Sequence, residues 1–361
     1  MKWPLIVFVV LGAAGFPVLA TSSYLSPDVP TDLAGATYQE SDILRDNSGA
    51  YSLVLSLPPG TPVDALHRMC SGNWLLSVEA PTDLGGIQVE ARDLVEFDGL
   101  SAYTLFFCGA GVGLPDGTDL DAAFLLGDDG SDLVLSFDVP TDIAGIIYEP
   151  ADLVQFARTG PGCAGWSVVG PWFDASTTMP PVPLSSNVTG ADVRGGQTII
   201  TFDVPTTLSG STYLPGEYVS WNASGFASYR FDPNWPISSR VDALSFLPGP
   251  GVVPPGSLYV KKSSTTPGNL VLNWSPSTSI GAEDYGIYEG TLGSWYSHYS
   301  KVCTDSGGDL TEEITPASGN TYYLVVPLNS NDEGSYGTDS SGSQRPPGTS
   351  PCRLTQDLDC P

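Results

Sequence analysis

The sequence predicts an all-β protein: a four-repeat, propeller-like domain, with an array of β-sandwiches as the alternative, followed by a second all-β unit. Three observations carry this. One phrase recurs four times, as PTDLAG from Pro30, PTDLGG from Pro81, PTDIAG from Pro140 and PTTLSG from Pro205. A second phrase starts twelve residues after each of those prolines, as DILRD, DLVEF, DLVQF and EYVSW. The residues before each Pro-Thr step alternate with period two, the spacing of a strand and not of a helix.

The elements follow in order. Residues 1–20, MKWPLIVFVVLGAAGFPVLA, join one Lys to a short apolar run and a small residue at Ala20. This is the layout of a secretory signal peptide; the run from Leu5 to Ala14 is too short to span a bilayer. The mature chain is expected to begin near Thr21, secreted or held at the cell surface. The four repeats then fill 21–248, at about 21–72, 73–131, 132–197 and 198–248. Spacings of 51, 59 and 65 residues between Pro-Thr steps place them among structural repeats. Within each copy, Val78, Leu76 and Trp74, or Phe137, Leu135 and Leu133, form one apolar face, while Ser77 and Ser136 make the other face mixed. Third phrases such as YTLFFCG are aromatic. A fourth (VDAL from Val63, LDAAFLL from Leu120, VDALSFL from Val241) closes every copy except the third, where only ADV from Ala191 remains. Four short strands per repeat is the size of a propeller blade.

A Pro/Gly-rich stretch, 249–256, reads as a linker, and 257–361 as a separate β unit. In that unit, Trp274 on an early strand, Tyr322 and Tyr323 on a late one and the closing EGSYG resemble a fibronectin type III sandwich. The phrases YEGTLG, YYLVVP and GSYGTDSSGSQRPP before a Cys resemble a group of secreted bacterial proteins with acidic β repeats. That resemblance implies an exported bacterial product and brings no catalytic residues with it.

Thirteen Lys and Arg against forty Asp and Glu give a formal net charge of −27. Such a surface repels nucleic acid and anionic lipid, and no later segment is apolar enough for a membrane span. Six cysteines in an exported chain read as three disulfides. Cys303 with Cys352 is the preferred pair, and Cys70 with Cys108 a second expectation.

Candidate chemistry is sparse. Asp32, Asp83, Asp142 and Thr207 occupy one turn position, where both residue types bond the backbone. The always acidic Asp42, Asp93, Asp152 and Glu217 are candidate metal ligands if a closed ring brings them to one axis, calcium being the cation suited to clustered oxygens. Turn-making is the competing role. DGTDLD from Asp116 and GDDGSD from Gly127 have the composition of calcium loops and match no known pattern of them. His67 and His298 have no catalytic partner in the sequence, and no nucleophile elbow, zinc helix or phosphate loop appears. Trp166, Trp172, Trp235 and Trp295 are candidate stacking residues, with Trp166 and Trp172 preferred for ligand binding. The expectation is a non-catalytic extracellular protein binding a glycan, a matrix polymer or a protein. The alternatives are a polysaccharide hydrolase using paired carboxylates and a calcium-dependent assembly protein.

Overall fold

The computed structural model describes residues 22–127, 130–222 and 224–360; the expected signal segment lies outside them. The chain is all-β, built on repeated four-stranded antiparallel sheets. From inner to outer strand, the first sheet runs Val241–Phe246, Ser22–Pro27, Asp42–Asn47, Ala50–Ser56. The second runs Val63–Arg68, Trp74–Val78, Asp93–Phe97, Tyr103–Cys108. The third runs Leu120–Leu125, Asp132–Phe137, Leu153–Arg158, Trp166–Phe173, and the fourth Val188–Arg194, Gln197–Phe202, Tyr218–Asn222, Gly225–Arg230.

Sheet and sequence repeat are therefore out of phase by one strand. The closing strand of each copy crosses over to become the inner strand of the next sheet. The last copy's closing strand, Val241–Phe246, pairs with Ser22–Pro27 of the first. That pairing joins the two ends of the repeat domain. In the third copy the loose ADV belongs to a full strand, Val188–Arg194.

Burial explains the mixed faces. Trp74 and Leu76 enter one apolar cluster with Tyr24 and Ile43 of the first sheet, while Leu75 between them enters another with Leu133, Phe137 and Phe156 of the third. Val134 likewise turns the other way, to Ile200 and Phe202 of the fourth sheet. A last cluster joins Ile199 and Tyr218 of the fourth sheet to Leu25 and Leu44 of the first. Each sheet is thus packed on both faces, and the four clusters run around a closed circuit. The serines of the mixed face are not solvated: Ser77 Oγ donates to the Leu120 carbonyl at 2.8 Å and Ser136 Oγ to that of Val188 at 3.0 Å, each reaching the inner strand of the next sheet.

Each Pro-Thr phrase forms a two-stranded ribbon, such as Thr141–Ile143 with Ile146–Tyr148. Its two-residue loop, Ala144 at φ 54° and Gly145 at φ 88°, has both residues left-handed, the geometry that matches strand twist in tight hairpins. Asp142 secures it by accepting the Gly145 N–H at 2.7 Å, and Asp83 does the same for Gly86. In the fourth ribbon Thr207 bonds Thr212 across the strands at 2.9 Å.

The second unit packs a three-stranded sheet (Tyr259–Lys262, Leu270–Asn273, Thr311–Ile314) on a five-stranded one (Tyr299–Val302, Asp284–Thr291, Thr321–Leu328, Asp332–Glu333, Thr355–Gln356). Trp274, Tyr285 and Ile287 fill the space between them. The Pro/Gly stretch before it is not a loose tether, because Pro248 to Gly251 are buried. Ser279 Oγ donates to the Gly249 carbonyl at 2.6 Å and Ser277 Oγ to that of Pro250 at 2.6 Å.

All six cysteines are paired, as Cys70–Cys360, Cys108–Cys163 and Cys303–Cys352, which fits an extracellular protein. The expected Cys70–Cys108 pair does not form. Cys70 follows the inner strand of the second sheet and Cys108 ends the outer one, three strands away and at the opposite end of the sheet, beyond disulfide reach. Cys108 instead meets the rim of the neighbouring sheet. Among the described residues, no helix is long and apolar enough to cross a membrane.

Candidate functional site

The four inner strands run in one direction around the ring axis and define two mouths. At the entry end each strand skips register by a bulge, between Val63 and Leu66, Leu120 and Ala122, Val188 and Gly190, and Ala243 and Val241. Bulges re-aim side chains, and here the same strand position holds Asp64, Asp121, Thr189 and Asp242, all buried. Thr189 donates to the Val241 carbonyl at 2.7 Å, Asn187 donates to Asp121, and Arg240 donates to Asp242 at 2.8 Å.

Burial and mutual repulsion favour the protonated form of these carboxyls. Burial, then the charges of Asp242, Asp119 and Asp121 and a hydrogen bond to Asp119, push Asp64 up to about 11. Burial raises Asp119 to about 7 and Asp121 well above the ordinary carboxylate range. Asp242 rises to about 6 through burial, held back by Arg240 and by a hydrogen bond from Asp64. A protonated Asp64 donating to ionised neighbours satisfies all of these contacts, because two carboxyls can hydrogen-bond only when one keeps its proton. Chemically this is an acid beside bases, most of it closed from solvent.

The exit mouth encloses a cavity of about 230 Å³ lined by His67, Arg68, Asp192, Arg194 and Asp359. Asp192 is buried and accepts the Phe246 N–H at 2.7 Å and the Val193 N–H at 2.8 Å, with His67 Nδ1 at 3.9 Å. The cavity is covered by the chain's own carboxyl-terminal stretch, where Cys360 is bonded to Cys70 and Arg194 pairs with Asp357 at 2.6 Å.

The acidic positions singled out by their spacing lie elsewhere. Asp42 accepts the Gln39 N–H at 2.8 Å and Ser56 Oγ at 2.6 Å. Asp93 accepts the N–H groups of Glu90 and Gly109 at 3.0 and 2.9 Å. Asp152 accepts those of Glu149 and Ala175, both at 2.8 Å, and Glu217 that of Leu214 at 3.3 Å. Each closes the turn that enters its own third strand, and the first three also clip the outer strand or the segment after it. Only glycine fits at 109, where an added Cβ would stand 2.3 Å from the Arg92 carbonyl oxygen. Among the described residues, no group of three or more His, Cys, Asp or Glu side chains is arranged to hold a metal ion. In the two calcium-like stretches, Asp116 pairs with Arg92 at 2.7 Å and Asp132 accepts Gln155 at 2.9 Å; Asp128 and Asp129 lie outside the described residues.

The tryptophans divide. Trp166 is a core residue, packed on Phe106 and Phe107 with its Nε1 donating to the Phe106 carbonyl at 3.3 Å, so its ring is not offered to a ligand. Trp172 is partly exposed and its Nε1 donates to Thr198 at 3.3 Å. Trp235 lies over Gly216 and donates to the Ser239 carbonyl at 2.9 Å. Trp295 is 66% exposed, next to the exposed Tyr296, whereas Tyr299 lies on the other face of its sheet and donates to Glu289 Oε1 at 2.9 Å. His298 is fully buried between Tyr322 and the Pro346 carbonyl, at 3.1 and 3.0 Å.

The axial acids were legible as the repeated V/L-D-A of the fourth phrase, and the aromatic face as the run SWYSHYS.

No protein-family model matches the chain, and no curated protein matches it. Among solved structures it overlaps Raptor from Chaetomium thermophilum (10% identity, 66% of this chain, 18% of that one, TM-score 0.27). It also overlaps virginiamycin B lyase from Staphylococcus aureus (11%, 79% and 66%, 0.25) and PorZ, a surface component of the type-IX secretion system of Porphyromonas gingivalis (9%, 81% and 48%, 0.30). The chain spans less than a fifth of Raptor and about half of PorZ. Overlaps this loose carry no inference about activity.

Proposed function

We propose that the protein is a non-catalytic extracellular binding protein, taking a glycan, a matrix polymer or a protein partner. The repeat domain is a four-bladed propeller that serves as scaffold, and the second unit is a fibronectin type III sandwich that displays the contact surface. One observation carries this reading: the entry of the ring axis is occupied by buried carboxyls, and the cavity of about 230 Å³ at the exit is lined in part by the carboxyl-terminal residues Asp359 and Cys360. The usual seat of catalysis in a ring of sheets is thereby narrowed by the chain itself. The sandwich assignment is supported by the strand orders of its two sheets, and by Trp274 buried between them.

Glycan and protein arrays probed with the mature chain, beside a hydrolysis screen of polysaccharides, test it. Binding without turnover is expected. The competing reading, a hydrolase, is favoured by the raised acids Asp64 and Asp119, a split acid and base arrangement. Turnover abolished by Asp64→Asn or Asp119→Asn would establish it in place of the binding reading. Binding lost in chelator would instead point to calcium-dependent assembly.

A further inference from the structure

We propose that the face of the second unit bearing Trp295, Tyr296 and Asp339 is a binding site for a neutral hexopyranose chain. The proposal rests on the binding reading above and gives it a location and a ligand class.

The face is built by the loop between strands Asp284–Thr291 and Tyr299–Val302. Leu292 N–H donates to the Asn320 carbonyl at 3.0 Å, Ser294 N–H to that of Thr291 at 3.0 Å, and Thr291 N–H to Ser297 Oγ at 3.0 Å. So tied, the loop presents Trp295 and Tyr296 at 66 and 44% exposure. Rings held in water at fixed positions offer flat apolar faces to a ligand.

The rings are backed from below. Trp295 lies at 5.7 Å from Tyr322, and Tyr322 is fixed through its hydroxyl to the buried His298 at 3.1 Å. Tyr296 holds φ 64°, a region bulky residues rarely enter. Its hydroxyl donates to Asp339 Oδ2 at 3.1 Å. Asp339 is oriented in turn by the N–H and Oγ of Ser341, at 2.8 and 2.6 Å, and by the N–H of Ser343 at 3.1 Å. Those bonds hold the carboxyl down at about 2, so it is an ionised acceptor at any ordinary pH. Flat rings beside a fixed carboxylate suit the apolar face and the hydroxyl edge of a pyranose.

Charge and size select the class. A surface of net charge −27 with Asp339 at the site repels polyanions. Two rings fall well short of the area of about 800 Å² per partner that a stable protein contact covers. Neutral hexopyranose polymers meet both conditions.

The test is affinity electrophoresis and calorimetry of the full mature chain with soluble β-glucan, galactomannan and, as the polyanion, alginate. Binding to a neutral polymer is expected, weakened at least about tenfold by Trp295→Ala and several-fold by Asp339→Asn, with the melting temperature unchanged. Leu100→Ala, at a more exposed apolar residue on the ring, should leave binding intact. If Trp295→Ala misfolds, Asp339→Asn decides. Neutral-glycan binding indifferent to both substitutions overturns the site and leaves the binding reading standing. Preference for alginate, or capture of a protein in place of any glycan, overturns the ligand class. Turnover with no binding partner at all overturns the binding reading and the site together.

Discussion

Asp64 is the residue on which the ring's entry depends. Its carboxyl sits among Asp119, Asp121 and Asp242, with Arg240 the cation recorded against them, and its ionisation is pushed up to about 11 by burial and those neighbours. In the unfolded chain the same carboxyl ionises near pH 4. Below that pH it is protonated in both states and weakens neither. As pH rises, the unfolded chain releases the proton while the folded ring keeps it, so stability falls from about pH 4 upward, by about 1.4 kcal/mol per pH unit for one retained proton. Asp119 and Asp242 add to the loss until their own values, about 7 and about 6, are passed. Asp64→Asn keeps a donor toward both neighbours and carries no proton to retain. Urea unfolding at pH 4, 6 and 8 should therefore show a slope against pH shallower by about one proton, and a variant more stable than the parent at pH 8. Parallel profiles would mean that Asp64 is ionised in the folded ring.

At the scale of the strand, the seam between sheets is held by hydroxyls that repeat with the sequence. Ser77, Ser136 and Thr201 are fully buried on equivalent second strands, and each reaches the inner strand of the next sheet; Thr201 does so toward Val241 at 3.4 Å. Ser136→Ala removes the partner of the Val188 carbonyl without making room for water. A loss of about 1–3 kcal/mol is expected, from the broken bond and the acceptor left in the dry seam, measured as a lower urea midpoint at constant m-value. An exposed Ser52→Ala on an outer strand should change nothing measurable. These serines also mark what could be read in advance. Period two, the Pro-Thr ribbons and the aromatic phrases are local, so strands and repeats were legible. The mixed face looked half-solvated because alternation records polarity and not what lies opposite. The strand exchange between copies was hidden for the same reason, since VDALSFL has one local pattern whichever sheet receives it. With the exchange hidden, the pattern leaves open whether Asp42, Asp93, Asp152 and Glu217 meet at the axis or close turns; they stand two strands out from it. Trp166 and Trp295 are alike as letters; only packing separates a core ring from an exposed one.

At the scale of the whole molecule, the second unit is clamped over the ring's exit by contacts that the sequence separates by nearly its full length. Cys360 is buried and bonded to Cys70 across 290 residues, and Ile280 N–H donates to the Cys70 carbonyl at 3.1 Å. Arg194, at the end of an inner strand, pairs with both Asp332 and Asp357, and all three side chains are largely shielded from water. Such an arrangement couples the stability of the two units. Closing so long a loop stabilises by roughly 4–5 kcal/mol on a chain-entropy account. Removing the arginine strands two shielded carboxylates, at a cost of about 3–5 kcal/mol. The parent chain should therefore melt in one calorimetric transition. Cys70→Ser with Cys360→Ser should lower the melting temperature, and adding Arg194→Met should split the transition in two, the units then unfolding separately. The carboxyl-terminal stretch should become open to protease in the triple variant while the Cys108–Cys163 and Cys303–Cys352 bridges stay intact, since those lie within single units. A triple variant that still melts in one transition at the parent's temperature would show that the clamp is incidental and that the coupling resides in the packed Pro248 to Gly251 segment.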